Sequence, residues 1–147
     1  MNYIIITSIN DITEAIRKYS QLQDWHIIVV GDTRSTTYLM YNTTFINIEQ
    51  QHKLPFKSIE STPYRHYSRK NIGYLYAISN NAESIFDTDD DTIPYNNELS
   101  RLFVCDNVVG GSRSINPYSF FTKEPVWPRG YDLSALHIKP EYRQYKE

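Results

Sequence analysis

Two runs of β-branched residues near the start of the chain constrain its fold more than any other feature. Residues 3–8 and 26–30 are almost continuously apolar or β-branched, which is typical of strands buried on both faces. Between the runs, apolar residues recur at helical spacing: Ala15, Ile16, Tyr19 and Leu22. We predict that Asp11 caps this helix, with Glu14 in the capping-box position. A strand, helix and strand joined by short connections form a βαβ unit, so the two strands should be parallel.

Later segments extend the same alternation. Residues 45–48 are predicted as a short strand, and the polar residues 49–53 as a loop. Residues 68–79 have the pattern of a helix with Ser68 as a possible cap. Gly73 within it costs about 1 kcal/mol relative to alanine, which indicates close packing. The apolar face of this helix would comprise three residues: Ile72, Leu75 and Tyr76.

A further strand over residues 84–86 completes the predicted sheet. The fold class is therefore α/β, with a mainly parallel sheet that contains residues 3–8, 26–30 and 84–86 and is flanked by helices. Downstream, residues 102–105 and 108–109 suggest strands around a turn. Residues from about 139 to 147 are expected to be an irregular tail, and the 147 residues are expected to form one domain.

The net charge and the cysteine content limit the possible binding partners and cellular location of the chain. The net charge of −2 predicts neither nucleic acid nor an anionic membrane as a partner. The first residues lack the basic and apolar pattern of a signal peptide, and no apolar run reaches membrane length, so we expect a soluble, cytoplasmic chain. Cys105 is the only cysteine and excludes an intrachain disulfide. The four histidines show no metal-ligand spacing.

The stretch of residues 85–94 contains the end of the predicted strand at 84–86 and the acidic turn that follows it. It places four carboxylates within five positions: Asp87, Asp89, Asp90 and Asp91. Two like charges 4 Å apart repel by about 1 kcal/mol even in bulk water, so a cation should relieve them. Hard oxygen ligands at this density suit Mg²⁺, Mn²⁺ or Ca²⁺. We therefore predict a divalent metal that holds a diphosphate.

Two other interpretations of the acidic turn remain open. Such clusters are often solvated loops or helix starts. The turn also has carboxylates at four positions of an EF-hand calcium loop: Asp87, Asp89, Asp91 and Glu98. However, Thr92 stands where the calcium loop requires glycine, and Pro94 occupies its short pairing strand.

Three polar elements are predicted to meet at the carboxyl edge of the sheet. They are Asp32 after the second strand, residues 69–71 at a helix start, and the acidic turn. An acid can hydrogen-bond a base or ribose, a cation with free N–H groups can bind phosphate, and carboxylates can hold a metal. Together these elements could form a nucleotide-diphosphate site. Alternatively, Asp32 only caps a turn and Arg69 is only a surface cation.

The sequence resembles the nucleotide-sugar half of GT-A glycosyltransferases, which carry an Asp-x-Asp motif after a strand. It resembles the STELLO-type family of glycosyltransferases more closely. The resemblance lies in three blocks in the same order along the chain: residues 7–33, residues 67–90, and residues 116–130. It implies a GT-A-like, Rossmann-like domain and a glycosyl transfer reaction from a nucleotide-diphosphate sugar to an unknown glycan or protein acceptor.

The resemblance also implies roles for individual residues. Asp87 and Asp89 would form the Asp-x-Asp pair that holds Mn²⁺ or Mg²⁺, with Asp89 the direct ligand and Asp87 nearer the ribose. Asp90 and Asp91 would lie just outside the metal's contacts, although a pair of Asp89 and Asp91 stays open. The remaining nucleotide-sugar residues would be Asp32 near the base, and Arg69 and Asn71 near the diphosphate.

One departure from the family pattern leaves the activity open. The acceptor site and catalytic base of GT-A enzymes lie downstream of the donor half, and here the late carboxylates Glu124 and Asp132 have no motif around them. The alternative to a glycosyltransferase is therefore a non-catalytic or truncated donor-binding or assembly protein. Residues 127–130 form either a packed turn or a lip of the donor pocket.

Overall fold

The computed structural model describes residues 1–95, 99, 107–110, 115–136 and 143–146. The chain divides into two compact units, Met1–Asn97 and Glu98–Glu147. The expectation that residues 1–147 form a single domain stays a prediction.

A four-stranded parallel sheet forms the first unit. Its strands are β1 (Asn2–Ser8), β2 (Trp25–Gly31), β3 (Thr43–Ile46) and β4 (Ser84–Asp87). They lie in the order β3-β2-β1-β4, and each neighbouring pair is parallel. The predicted α/β class is thus confirmed, and the architecture is Rossmann-like. The three predicted strand segments all lie within strands of this sheet.

Within residues 1–95, four helices and one 3₁₀ turn surround the sheet: α1 (Glu14–Tyr19), α2 (Ile48–His52), α3 (Ser58–Ser61), the 3₁₀ turn Tyr67–Arg69, and α4 (Lys70–Ser79). The predicted cap of α1 was wrong, because Thr13 rather than Asp11 accepts the Ile16 N–H. The predicted cap of the later helix was wrong as well. The His66 side chain caps the 3₁₀ turn by accepting the Ser68 N–H at 3.1 Å.

The predicted boundary after β3 was also wrong. The strand ends at Ile46, and Asn47 starts α2 through a capping box with Gln50, with both hydrogen bonds at 2.9 Å. Residues 49–53 are therefore mostly helical rather than a loop. An asparagine side chain competes with strand pairing by bonding its own backbone neighbours, so it ends the strand and begins the helix.

The second unit contains a two-stranded antiparallel sheet. It pairs β5 (Asn107–Gly110) with β6 (Arg143–Lys146). The strand expected at 108–109 is confirmed, whereas the tail expected to be irregular contains β6. The predicted strand at 102–105 and Cys105 lie outside the described residues. In the part of the chain that the structure describes, no helix is long and apolar enough to cross a membrane.

The two faces of the parallel sheet are both covered. One face presents Tyr3, Ile5, Ile28 and Val30 to a core that also contains Ile72 and Ala77 of α4. On the other face, Tyr19 of α1 contacts the ring of Phe86, whose register partner is Ile4. Burial on both faces explains why the first two strands read as continuous apolar runs.

Gly73 lets α4 approach the sheet closely, as its position in the sequence predicted. A Cβ at this residue would lie 2.5 Å from Ile5 Cγ2 and 3.0 Å from Val30 Cγ2. Both neighbours are fully or almost fully buried branched side chains that have little room to move. The absence of a side chain therefore sets how near the helix lies to β1 and β2.

We predict that Gly73→Ala destabilises the protein. In an exposed helix the change would stabilise by about 1 kcal/mol, but overpacking here should outweigh this gain and cost about 1–3 kcal/mol. Urea unfolding measures the difference. Ile78→Ala, at a position 61% exposed on the same helix, is the matched control and should change the stability little. A more stable Gly73→Ala protein would contradict the close approach.

Candidate functional site

The candidate site lies at the carboxyl edge of the parallel sheet. Because β1 pairs in parallel with both β2 and β4, the chain leaves all three strands at this edge. The segments that follow are the loop after Ser8, the loop after Gly31, and the acidic turn after Asp87. Open α/β sheets bind their ligands at this edge.

A lysine that the sequence analysis did not single out joins the two predicted metal ligands. Lys70 Nζ lies 2.8 Å from Asp87 Oδ1 and 2.8 Å from Asp89 Oδ1. It also donates to the carbonyl oxygen of Thr88 at 2.9 Å. The Lys70 side chain is 13% exposed, whereas those of Asp87 and Asp89 are 58% and 68% exposed. The cation expected to relieve this cluster is therefore supplied, in this structure, by the chain itself.

The two carboxylates change the ionisation of their neighbours. Burial is the largest influence on Lys70 and lowers its pKa, but the hydrogen bonds and charges of Asp87 and Asp89 together outweigh it. The net result is a raised pKa. Burial, followed by a hydrogen bond to Asp87, raises the pKa of the Tyr74 hydroxyl to about 12. Lys70 is thus charged and Tyr74 neutral at physiological pH.

Asp90 is hydrogen-bonded to the end of β1 and to the loop that follows it. Its Oδ2 accepts hydrogen bonds from Ser8 Oγ and, at 2.9 Å, from Asn10 Nδ2. Its carbonyl oxygen accepts from Thr13 Oγ1 at 2.6 Å. Thr13 thus both caps α1 and holds the acidic turn. The second contact explains why Thr13 rather than Asp11 is the cap. These bonds fix part of the turn against the sheet edge, while Asp91 beside it is exposed.

Asp32 connects two loops at the same edge. Its Oδ1 accepts the Thr33 N–H at 2.6 Å, and its Oδ2 accepts the Arg65 N–H at 2.7 Å. Arg65 has a φ of 54°, in the left-handed region that non-glycine residues rarely adopt. Asp32 therefore fixes the segment that leads into α4, a role that the sequence analysis did not foresee.

Arg69 is buried beneath the carboxyl edge of the sheet and is not exposed at that edge. Its side chain is 1% exposed, and its guanidinium donates to the Thr62 carbonyl oxygen at 3.1 Å and to Gln51 Oε1. Gln51 in turn donates from Nε2 to the carbonyl oxygens of Gly31 and Ile46, both at 2.7 Å. This network supports the end of β2. The predicted place of Arg69 near a diphosphate stays a prediction, as does that of the exposed Asn71.

The residues present offer a limited ligand set for a metal. Among the described residues, no group of three or more His, Cys, Asp or Glu side chains lies close enough to hold an ion. Two convergent carboxylates fit Mg²⁺ or Mn²⁺, which take one or two carboxylates and complete their shell with phosphate oxygens and water. The donor chemistry therefore fits such a metal, although Lys70 occupies the point of convergence. Glu98, needed for the calcium-loop alternative, lies outside the described residues.

Asp87 and Asp89 thus lie side by side at the end of β4, and the sequence analysis missed the Lys70 side chain between them. A signal for it existed, since Lys70 follows Arg69 at the predicted helix start. The expected cleft shared by Asp87 and Asp89 with Asp32 and Arg69 stays a prediction. The structure shows Asp32 and Arg69 engaged in hydrogen bonds of their own at this edge.

Comparisons with known proteins identify curated relatives of this chain. No family model matches the chain. It is similar to two curated proteins of Arabidopsis thaliana, probable glycosyltransferase STELLO2, with 25% identity over 150 residues, and probable glycosyltransferase STELLO1, with 24% identity over 150 residues. The predicted resemblance to STELLO-type proteins is confirmed. Each comparison covers 91% of this chain and 20% of the relative, so the chain spans about a fifth of their length.

We predict that Arg69→Ala destabilises the protein by about 2–4 kcal/mol. The change leaves Gln51 Oε1 buried without its donor and opens a cavity beneath β2. Chemical unfolding measures it, with Arg17→Ala on the exposed side of α1 as the control. If Arg69 were a surface cation, its removal would cost no more than about 0.5 kcal/mol, as expected for the control.

A second prediction concerns the pH dependence of the lysine contact. The pKa of Lys70 in the folded state is above its ordinary value of 10.5. The stability that the contact contributes is therefore complete below pH 10.5 and is lost as the pH rises through the folded-state pKa. Because both carboxylates are exposed, we expect only about 1 kcal/mol from it.

The test compares the unfolding free energies of the wild type and Lys70→Met from neutral pH to above pH 10.5. Their difference should be constant below pH 10.5 and should shrink above it. Lys18→Met is the matched control, because Lys18 pairs with Glu14 on an exposed helix surface. A difference for Lys70→Met that stays constant at high pH would contradict the ion-pair description.

Proposed function

We propose that this chain binds a nucleotide-diphosphate sugar at the carboxyl edge of its parallel sheet and serves as the donor-binding part of a glycosyltransferase. The observation that carries the proposal is the pair of exposed carboxylates, Asp87 and Asp89, held side by side at the end of β4. The printed names of the two Arabidopsis relatives support the reaction class.

Position and charge favour a diphosphate ligand. The acidic pair, Lys70 and the first turn of α4 lie together at the edge where open α/β sheets bind nucleotides. An ammonium group is a common phosphate ligand and acts as a point charge. A carboxylate pair alone would repel a diphosphate, so the proposed site needs both this lysine and a divalent metal.

In this proposal Asp87 and Asp89 hold Mn²⁺ or Mg²⁺, and the diphosphate oxygens complete the metal's shell. Bound there, the metal would neutralise the diphosphate as it leaves the sugar. Asp91, exposed beside the pair, is the alternative ligand in the shifted register. Asp32 and Asn71 would contribute to the nucleotide site. Arg69 would support the site from beneath the sheet edge. It would contact the diphosphate only if it gave up its hydrogen bond to Gln51.

A non-catalytic donor-binding protein is the second candidate, and the state of Asp132 favours it. The Asp132 carboxylate accepts from the Ser134 N–H at 2.9 Å and from Ser134 Oγ at 2.7 Å, which lowers its pKa. Asp132 therefore has a structural role as the cap of the 3₁₀ turn Leu133–Ala135. The catalytic base and the acceptor are therefore unassigned, and the cytoplasmic location stays a prediction.

Titration calorimetry of Asp89→Asn tests the proposed donor site. The ligands are a uridine and a guanosine diphosphate sugar, each with Mn²⁺ and with chelator. With Mn²⁺, the wild type should bind one of them, and the variant should bind it at least about tenfold more weakly, or about 1.4 kcal/mol, because metal is lost. In chelator the effect should vanish or reverse, since the change removes repulsion against phosphate.

Two further variants sharpen this experiment. Asp24→Asn removes the same charge from an exposed position just before β2, at the opposite edge of the sheet, and should leave the affinity unchanged. Asp91→Asn tests the alternative register of the metal pair. Equal affinity of the wild type and Asp89→Asn in Mn²⁺, or no binding of either ligand by the wild type, would refute the donor site.

A further inference from the structure

The Asp-x-Asp segment surrounds the Lys70 ammonium with a complete set of acceptors. An ammonium group has three N–H donors. Here it has three oxygen neighbours within 2.9 Å, supplied by Asp87, Thr88 and Asp89 in succession. With 13% of the side chain exposed, the lysine is held in this position rather than lying free over the surface.

We propose that Lys70 is a built-in competitor for a divalent metal at the Asp87–Asp89 pair. The inference rests on the proposed function only for the metal's role in donor binding. The competition itself concerns this chain and the metal alone. The two carboxylates can hold the ammonium or the metal between them, and binding of the metal expels the lysine.

Geometry and charge make the two occupants exclusive. One oxygen from each carboxylate lies 2.8 Å from the same nitrogen, so both oxygens face one point between the side chains. Mg²⁺ requires its oxygen ligands at about 2.0–2.1 Å. A metal at that distance from the same oxygens would overlap the ammonium position and repel its charge. The metal and the ammonium therefore cannot both bind these two oxygens at the same time.

The surroundings allow the exchange without loss of the carboxylates' position. The bonds from Ser8 and Asn10 to Asp90 hold the acidic turn without the help of the lysine. Lys70, in contrast, is attached through a flexible four-carbon stem. It is also the first residue of α4, so an expelled ammonium stays at the sheet edge. A diphosphate bound there would receive it.

A nucleotide-free measurement of Mn²⁺ binding tests the competition. Electron paramagnetic resonance titration of free Mn²⁺ gives the affinity of the wild type, Lys70→Met and Lys18→Met. We expect Lys70→Met to bind Mn²⁺ about fivefold more tightly than the wild type. Lys18→Met removes the same charge from a lysine paired with Glu14 and should match the wild type.

A second readout separates competition for the oxygens from a general effect of charge. Acylation of Lys70 by an amine-reactive reagent is followed by mass spectrometry, with and without saturating Mn²⁺. Expulsion should raise the acylation rate of Lys70 several-fold, while that of Lys18 stays constant. The competition is overturned if Mn²⁺ leaves the Lys70 rate unchanged, if Lys70→Met binds Mn²⁺ no more tightly, or if neither protein binds Mn²⁺.

Failure of the proposed function gives a different result. If nucleotide sugars do not bind but Lys70→Met still gains Mn²⁺ affinity, the donor site is wrong and the competition stands. If both hold, the diphosphate should strengthen Mn²⁺ binding more in the wild type than in Lys70→Met, because only the wild type has an ammonium to transfer to phosphate. An equal gain in the two proteins would overturn that transfer.

Discussion

Parallel pairing of β1 with both of its neighbours is the constraint on which the site depends. Ile4 pairs with Ile27 on one side and with Phe86 on the other, so the three strands run in the same direction. Segments far apart in sequence consequently reach one edge of the sheet. The contacts of Asp90 with Ser8 and Asn10, and of Asp32 with Arg65, all follow from this common direction.

Helix α4 then determines which cation faces the acidic pair. Residues three apart lie on the same side of a helix. Gly73 packs against the sheet, so Lys70 lies on that side one turn earlier, where the sheet ends, and reaches the carboxylates. Arg69 is three residues before the fully buried Ile72 and accordingly points into the core. The close approach at Gly73 is thus linked to the charge arrangement at the edge.

Much of the fold could be predicted because its strongest sequence signals have an interpretation that does not depend on distant contacts. The buried runs of β1 and β2 and the tight position of Gly73 each have one physical interpretation. Asn47 was ambiguous, because an asparagine between apolar residues fits a strand or a cap. Asp11 and Thr13 are both good caps, and only the bond of Thr13 to the Asp90 carbonyl, 77 residues away in sequence, distinguishes them.

The carboxylate pair was predictable from the sequence, but its partner was not. Arg69 and Lys70 are adjacent cations, and successive residues point about 100° apart around a helix. Which of them enters the core depends on the helix's rotation against the sheet, which tertiary packing decides. The Gln51 amide that receives the Arg69 guanidinium lies in a helix whose existence the sequence analysis also missed.

The lysine held by the Asp-x-Asp segment has a consequence for how the site would respond to metal concentration. A group tethered by a short flexible linker has an effective concentration in the millimolar range, about 1 mM or more, that dilution of the protein does not change. In the proposed competition, a free metal ion would have to displace this constant local supply of ammonium. The metal concentration at half occupancy would then be raised by the chain itself, and scarce metal would leave the carboxylates with their own lysine.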